Sequence, residues 1–218
     1  DSLALANAAK LEAADFNLDL VAVIVDHGLQ ENSAEVAAST KKKLESIGYS
    51  DIFVGKANVL VTDGIEASAR RARYLVFQQA LETYGAKVFL IGHTKNDQAE
   101  GVLLGLARGS GTKSLSGMAE ISGPFIRPFL NVDRSTTQAA CVESGIEYWN
   151  DPHNLNTEFT RVRVRESILP LIEKEIGPGI IDALSRSAKI LREDATALDE
   201  WAERVFSEVN PSDIEISL

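Results

Sequence analysis

Apolar positions along this chain follow two periods, and their alternation outlines the architecture. Asp1-Ser2-Leu3-Ala4-Leu5-Ala6 opens directly as a helix rich in Ala and Leu, with no strand before it. Leu20-Val21-Ala22-Val23-Ile24-Val25 is a continuous apolar run of strand length that ends in Asp26-His27-Gly28. Such a run fits a buried parallel strand better than a half-exposed one. Ser33 then caps a helix that runs through Lys41-Lys42-Lys43-Leu44 and stops at Gly48, where a left-handed residue is favoured. Ile52-Phe53-Val54 reads as a short strand, and Ile65 to Tyr84 as a long helix closed by Gly85. A third apolar run, Val88-Phe89-Leu90-Ile91, leads into a helix from Asn96 to about Arg108, and Phe125-Ile126-Arg127 is a last strand between Pro124 and Pro128. This order predicts an α/β fold, a mostly parallel Rossmann-like sheet with helices on both faces.

The pattern changes after Tyr148-Trp149. Asn150-Asp151-Pro152-His153-Asn154-Leu155-Asn156 is loop chemistry. Beyond Phe159 the chain reads as helix only: one helix to about Glu175, a break at Gly177-Pro178-Gly179, and a long amphipathic helix from Ile180 to about Val209. The stripe Ile190, Leu191, Leu198, Trp201 and Val205 on that helix is expected to be buried. A domain limit near residue 176 follows, with a catalytic domain over 1–176 and a helical part over 177–218. The end at Leu218 reads as though a further C-terminal domain continues.

Composition narrows the classes. The 218 residues are 44% hydrophobic and 25% charged, enough for one α/β domain with a buried core and a smaller appendage. No apolar run approaches the roughly 20 residues of a membrane span, and no signal peptide is evident. The single cysteine, Cys141, excludes a disulfide framework and a cysteine-cluster metal site, so a reducing cytoplasm is the expected location. A net charge of −10 argues against indiscriminate nucleic-acid binding and leaves room for a local basic patch.

The densest chemistry lies at Gly92-His93-Thr94-Lys95-Asn96-Asp97-Gln98-Ala99-Glu100. A strand end delivers His93, and the helix that follows carries Asp97 and Glu100 one turn apart on one face. Ligands of open α/β sheets bind at such strand ends. Acids in a first turn also serve the helix dipole, so structural and functional readings both stand on this segment alone. Arg70 and Arg73 share a face at i, i+3, as a solvated patch or as a phosphate site. Asp1-Ser2 alone is an ordinary helix start. Arg161, Arg163 and Arg165 alternate with valines at the start of a helix, where cations oppose the macrodipole. An anion is therefore expected beside them, and Arg165 is the foremost candidate for contacting it.

Several of these patches carry a family resemblance. Asp1-Ser2 resembles the tail of the Ser-Gly-Gly-x-Asp-Ser loop of ATP pyrophosphatases, Val25-Asp26-His27-Gly28-Leu29 their second strand end, and Glu66-x3-Arg70-x2-Arg73-Tyr74 their third element. Within that superfamily five ordered segments together are similar to bacterial tRNA(Ile)-lysidine synthetases. They are Gly92-His93-x3-Asp97-Gln98-x-Glu100 continuing to Arg108-Gly109, Leu115-Ser116-Gly117-Met118, Arg127-Pro128, Trp149-x-Asp151-Pro152-x-Asn154 and Arg161-x-Arg163-x-Arg165. The glycines of the family's phosphate loop do not precede Asp1 in this sequence.

The resemblance implies a two-step ligase. ATP, with Mg²⁺, adenylates the carbon-2 oxygen of the wobble cytidine in a tRNA(Ile) bearing a CAU anticodon. The ε-amine of free L-lysine then displaces AMP to give lysidine. ATP would be held by Asp1, Ser2, Asp26 and His27, and catalysis would fall to Asp97, Glu100, His93 and Arg73. Arg70, Arg161, Arg163 and Arg165 would take the RNA or its phosphates; the metal ligands stay unassigned, no membrane is involved, and a homodimer is compatible with it. Carboxylates suit a substrate with two ammonium groups, and either a carboxylate or His93 is a candidate to accept the amine proton. Two rivals remain: another ATP pyrophosphatase, and a nonenzymatic nucleotide-binding module. A thiolase of that superfamily usually needs paired cysteines, which Cys141 alone does not supply.

Overall fold

The computed structural model describes residues 1–26, 28, 33–59, 65–148 and 156–208, with the side chains of residues 65 and 66 left aside. It divides into two compact units, residues 1–93 with 120–149, and 94–119 with 150–218. In the second unit the mid-chain segment 94–119 groups with the later helices.

In the first unit, helix α1 (Ser2–Phe16) leads to strand β1 (Val21–Asp26), helix α2 (Ser33–Ile47), strand β2 (Asp51–Lys56) and helix α3 (Ile65–Tyr84). β1 and β2 pair in parallel, Val21 opposite Asp51 through Asp26 opposite Lys56. The side chains of β1 alternate as a period of two requires. Ala22 and Ile24 pack with Ala37, Leu44 and Tyr49, against which Leu3 and Ala6 of α1 also lie. Val23 and Val25 face the other way, onto Ala72 and Val76 of α3. Helices thus cover both faces, which is why the run reads as continuously apolar.

The remaining strands are short. β3 (Phe89–Leu90) pairs in parallel with β5 (Phe125–Ile126), and β5 pairs antiparallel with β4 (Ile121–Ser122). The hairpin partner β4 has no counterpart among the elements expected from sequence, since two residues are too few to show a period. Among the described residues the hydrogen-bonded ladders form two groups, β1-β2, which is parallel, and β3-β5-β4, which is mixed. Phe77 stacks on Phe89 at 4.2 Å between centroids, and Tyr74 meets Phe125 edge-on at 5.0 Å, which ties α3 to β3 and β5. Helix α6 (Arg134–Glu143) carries the buried Cys141 and lies beside α1.

In the second unit, helix α4 (Lys95–Ala107) is followed by the single turn α5 (Thr112–Leu115). The helix expected from Phe159 to Glu175 is interrupted: α7 (Thr160–Arg163) passes through a π-helical turn, Val164–Ile168, into α8 (Leu169–Glu175). Helix α9 (Ile180–Glu208) closes the described chain. Ala99, Val102, Val164, Leu169, Leu184 and Ala188 form the core. The expected burial of the α9 stripe is not met. Leu191 is half-buried, but Ile190, Leu198, Val205 and Trp201, the last 63% exposed, are open. Among the described residues, α9 is buried at Leu184 and Ala188, where α4 and the π turn lie against it. Amphipathicity states that a face suits burial and does not supply the partner.

Candidate active site

The residues singled out from sequence fall into two groups, one in each unit. In the first unit they gather at the start of α1 and at the C-terminal ends of the strands. Asp1 precedes α1 as its N-cap. Its carboxylate caps nothing and instead accepts hydrogen bonds from Arg134 Nε at 3.1 Å and Thr137 Oγ1 at 2.6 Å. α6 therefore fixes the beginning of α1. Gly92 follows β3 and passes against that same start: a Cβ there would lie 3.2 Å from both the N and Cα of Ser2. Only a glycine lets the strand end approach so closely without displacing backbone. A helix N-terminus and a strand end thus meet, and exposed N–H groups at such an end favour anions.

Asp26 ends β1 and folds its carboxylate back on the Gly28 N–H at 2.9 Å. His27 lies outside the described residues, as does the loop from Trp149 to Leu155. On α3, Arg70 and Arg73 are exposed. The Arg70 guanidinium lies 5.7 Å from the centre of the Tyr74 ring, a cation–π contact.

His93 is half-buried immediately beyond the β3 end, where Ile91 N–H still bonds to the Ile126 carbonyl at 2.8 Å. Arg127, directly after β5, donates from Nε to His93 Nδ1 at 3.2 Å and from Nη2 to the Tyr74 hydroxyl at 3.2 Å. Arg127 and Tyr74 were visible in sequence as motif members and carried no assigned role. The available signal was an arginine inside an apolar strand pattern, a residue type that is buried only when its donors are used.

In the second unit, Thr94 is the N-cap of α4 and Asp97 its third residue. Asp97 Oδ2 accepts from both the Thr94 N–H and the Thr94 hydroxyl, each at 2.8 Å, closing a capping box. The other oxygen, Oδ1, stands 3.5 Å from Arg165 Nη2. Glu100, one turn on, is fully buried and takes Arg165 in the two-pronged geometry, Nε to Oε1 at 2.7 Å and Nη2 to Oε2 at 3.0 Å. The anion expected beside Arg165 is therefore provided by the chain itself. Arg165 sits in the π turn, and this extra residue in the helical repeat aims it at α4.

The three arginines separate. Arg163 binds the carbonyls of Thr157 and Glu158 at 2.7 and 2.9 Å and the Thr160 hydroxyl at 3.0 Å. Arg161 is half-buried one turn before Arg165. On the other side of α4, Gln98 clamps Met118, donating to its carbonyl at 3.0 Å and accepting from its N–H at 2.7 Å. Arg192 of α9 binds the neighbouring Ser116 carbonyl. Lys95 bonds Asp182 at 2.7 Å, and this contact holds the Asp182 carboxyl below its ordinary value. Among the described residues no group of three or more His, Cys, Asp or Glu side chains is arranged to hold a metal ion.

Comparison with known proteins gives the context for this geometry. A PP-loop domain model matches residues 1–172. The chain is 46% identical over 222 residues to a tRNA(Ile)-lysidine synthase of Leifsonia xyli, covering 100% of this chain and 67% of that one. It is 46% identical over 209 residues to the tRNA(Ile)-lysidine synthase of Thermobifida fusca, covering 96% and 64%, and 48% identical over 206 residues to that of Rhodococcus erythropolis, covering 94% and 61%. The chain thus spans about two thirds of the length of these relatives. Among solved structures it resembles the U34-tRNA thiolase NcsA of Methanococcus maripaludis, with its [4Fe-4S] cluster, at a TM-score of 0.66 and 15% identity, over 99% of this chain and 73% of that one. At that identity the likeness concerns the fold.

Proposed function

The chain belongs to the PP-loop family and, within it, to the tRNA(Ile)-lysidine synthases, and from that premise we propose that it ligates L-lysine to the wobble cytidine of a tRNA(Ile) with a CAU anticodon. The observation that carries this reading is similarity at 46% identity along the whole chain to proteins of that name. The carbon-2 oxygen of the cytidine attacks the α-phosphorus of ATP; a P–O bond forms, the bond to the β-phosphate breaks and pyrophosphate leaves. The deprotonated ε-amine of lysine then attacks carbon 2, and AMP departs with the oxygen. No cysteine takes part, and Cys141 is buried, so the thiolase likeness suggests no sulfur chemistry here.

The start of α1, with Asp1 held by α6, and the Asp26 strand end receive ATP, and Ser2 adds a hydroxyl donor to pyrophosphate oxygens. His27 and Arg73 belong to the same proposal. Asp97 and Glu100 with Arg165 carry two negative charges and one positive, and this residual charge suits a lysine ammonium. Asp97 is the nearer of the two to such a role, because Glu100 is committed to Arg165 on both oxygens. Arg70, Arg161 and Arg163 take RNA phosphates. Mg²⁺ fits as an ion carried largely by ATP oxygens with one or two carboxylates, the usual manner of that cation. It would supply charge neutralisation at the phosphates. Residues 1–176 would form the catalytic domain, with 177–218 a helical extension toward the tRNA, in a cytoplasmic protein.

The test is product identity. Purified protein with ATP should release AMP only when both lysine and the matching tRNA are present, and the tRNA should gain the mass of one lysine. Release of AMP without lysine dependence, or with a transferred group other than lysine, would replace this reading with another PP-loop chemistry.

A further inference from the structure

His93 and Arg127 both lie just beyond the C-terminal ends of neighbouring strands, His93 three residues after β3 and Arg127 one residue after β5. The two strands pair in parallel, Phe89 opposite Phe125 and Leu90 opposite Ile126, so both residues stand at the same C-terminal end of the strands. Arg127 is 6% exposed and directs Nε at His93 Nδ1. A guanidinium has donors and no acceptor, and it stays protonated throughout the range in which proteins fold. The nitrogen that receives its N–H must offer a lone pair. An imidazole with its lone pair on Nδ1 carries the proton on Nε2, and the doubly protonated ring has no lone pair to offer.

Arg127 is itself held. Its second bond goes to the Tyr74 hydroxyl, and the Tyr74 ring is fixed edge-on against Phe125 at 5.0 Å and tilted against Phe77 at 5.4 Å. The Arg70 guanidinium rests over the same ring. A rotation that freed His93 would have to break the Tyr74 bond as well, inside a packed aromatic cluster.

We propose that Arg127 is a positioning residue that fixes His93 as the neutral tautomer protonated on Nε2. His93 then meets the substrate as a hydrogen-bond donor to an electron-rich oxygen, and it does not take the proton from the incoming amine. This deepens the proposed ligation, on which the role of His93 rests, and it decides between the two proton acceptors left open by sequence in favour of a carboxylate.

The tautomer can be read without turnover. The chain has three histidines, so ¹⁵N-labelled protein gives three ring systems in a long-range proton–nitrogen correlation at neutral pH, and the one missing in His93→Gln is assigned. The expected pattern is a protonated Nε2 and an unprotonated Nδ1 for His93. In Arg127→Met the pattern should move toward the exchange average of a free imidazole, and Arg127→Lys should restore part of it. A protonated Nδ1 in the unaltered protein overturns the assignment, as does a pattern that Arg127→Met leaves unchanged. If Arg127→Met does not fold, the unaltered protein still decides.

Kinetics separate donor from base. The Gln side chain places an N–H near the Nε2 position, so His93→Gln should lose less activity than His93→Ala, whose loss is expected at about 10- to 150-fold for a charge-assisted bond. Equal losses in the two variants overturn the donor role. Absence of lysine-dependent AMP release in the unaltered protein would overturn the ligation instead, and the nuclear resonance result would stand apart from it.

Discussion

Arg165 holds Glu100 by two parallel hydrogen bonds, of 2.7 and 3.0 Å, and the carboxylate so held is fully buried. The arginine comes from a π turn and the carboxylate from the second turn of α4. The pair joins helices that are distant in sequence and, through Asp97, borders the start of α4. Removing one member of a buried pair leaves the other charge unsolvated, and that cost exceeds the net value of the pair itself. Arg165→Met should therefore destabilise the second unit by about 3 kcal/mol, the lower end for buried pairs because the arginine remains in part open to water. Urea unfolding measures it. Arg165→Met combined with Glu100→Leu should recover stability, and no recovery would mean that the pair is not the source of the loss.

Asp97 caps α4, and one substitution can separate that task from the proposed hold on lysine. Asp97→Asn keeps an acceptor for Thr94 and removes the charge. Stability should fall by no more than about 1 kcal/mol, the usual scale of a cap. Apparent lysine affinity should fall on the order of 10- to 150-fold, the value of a charge-assisted contact of about 1.5–3 kcal/mol. Rapid-quench assays with labelled ATP should then show adenylated tRNA accumulating until high lysine discharges it. Loss of adenylation with lysine affinity unchanged would give Asp97 a role in the ATP step instead.

Gly117 shows how the Gln98 clamp restricts sequence. Its φ is +60°, and a Cβ there would come within 2.5 Å of Gln98 Oε1. The amide is the end of a flexible side chain, but both of its hydrogen-bonding atoms are tied to Met118. Gly117→Ala should cost more than the roughly 1–2 kcal/mol of left-handed backbone strain. Adding Gln98→Ala should remove the steric part and leave the strain, and a double-mutant cycle by chemical unfolding reads the difference. Strict additivity would show that the clamp yields without cost.

The Lys95–Asp182 contact gives a pH dependence with a definite sign. The Lys95 hydrogen bond and charge hold the Asp182 carboxyl below its ordinary value of 3.8. A carboxylate with a lowered folded-state value adds stability that is fully present above 3.8 and is lost as the pH falls through the lowered value. The stability gap between the unaltered protein and Asp182→Asn should thus be constant from neutral pH to about pH 5 and close in stronger acid. Because the group is exposed, the gap should be small and should shrink with added salt. A gap that widens on acidification would assign the wrong sign to the contact.

Binding to tRNA should depend on few cations, since the chain carries a net charge of −10. Charge reversal at Arg70, exposed on α3, should lower affinity and reduce the slope of log affinity against log salt by about 0.7–0.9 for each phosphate that is no longer neutralised. Arg163 should respond less, because its guanidinium already serves two carbonyls and a hydroxyl. An unchanged slope in the Arg70 variant would make it part of the solvated face.

The sequence by itself determined whatever depends on local repetition. Short apolar runs predicted β1 and β2, and a long helical pattern with its closing glycine next to it predicted α3 at its observed ends of Ile65 and Tyr84. The ordered motifs sufficed to place the chain in its family, since a motif is a local object. Tertiary structure decided the pairings. β4 is two residues long, too short for a period, and exists because β5 offers it an edge. The helix expected to Glu175 takes a π turn at Val164–Ile168, where Arg165 reaches Glu100, a contact between residues 65 positions apart. The stripe at Ile190, Leu198, Trp201 and Val205 is amphipathic in sequence yet exposed, because burial requires a neighbour and periodicity records only the face prepared for one. The donors of Arg127 were written in the sequence, but their acceptors, a ring nitrogen 34 positions away and a hydroxyl 53 positions away, are brought to them by the pairing of β3 with β5 and the packing of α3. Hydrogen bonds between residues so distant along the chain leave no periodic trace, so their geometry is fixed only when the chain is folded.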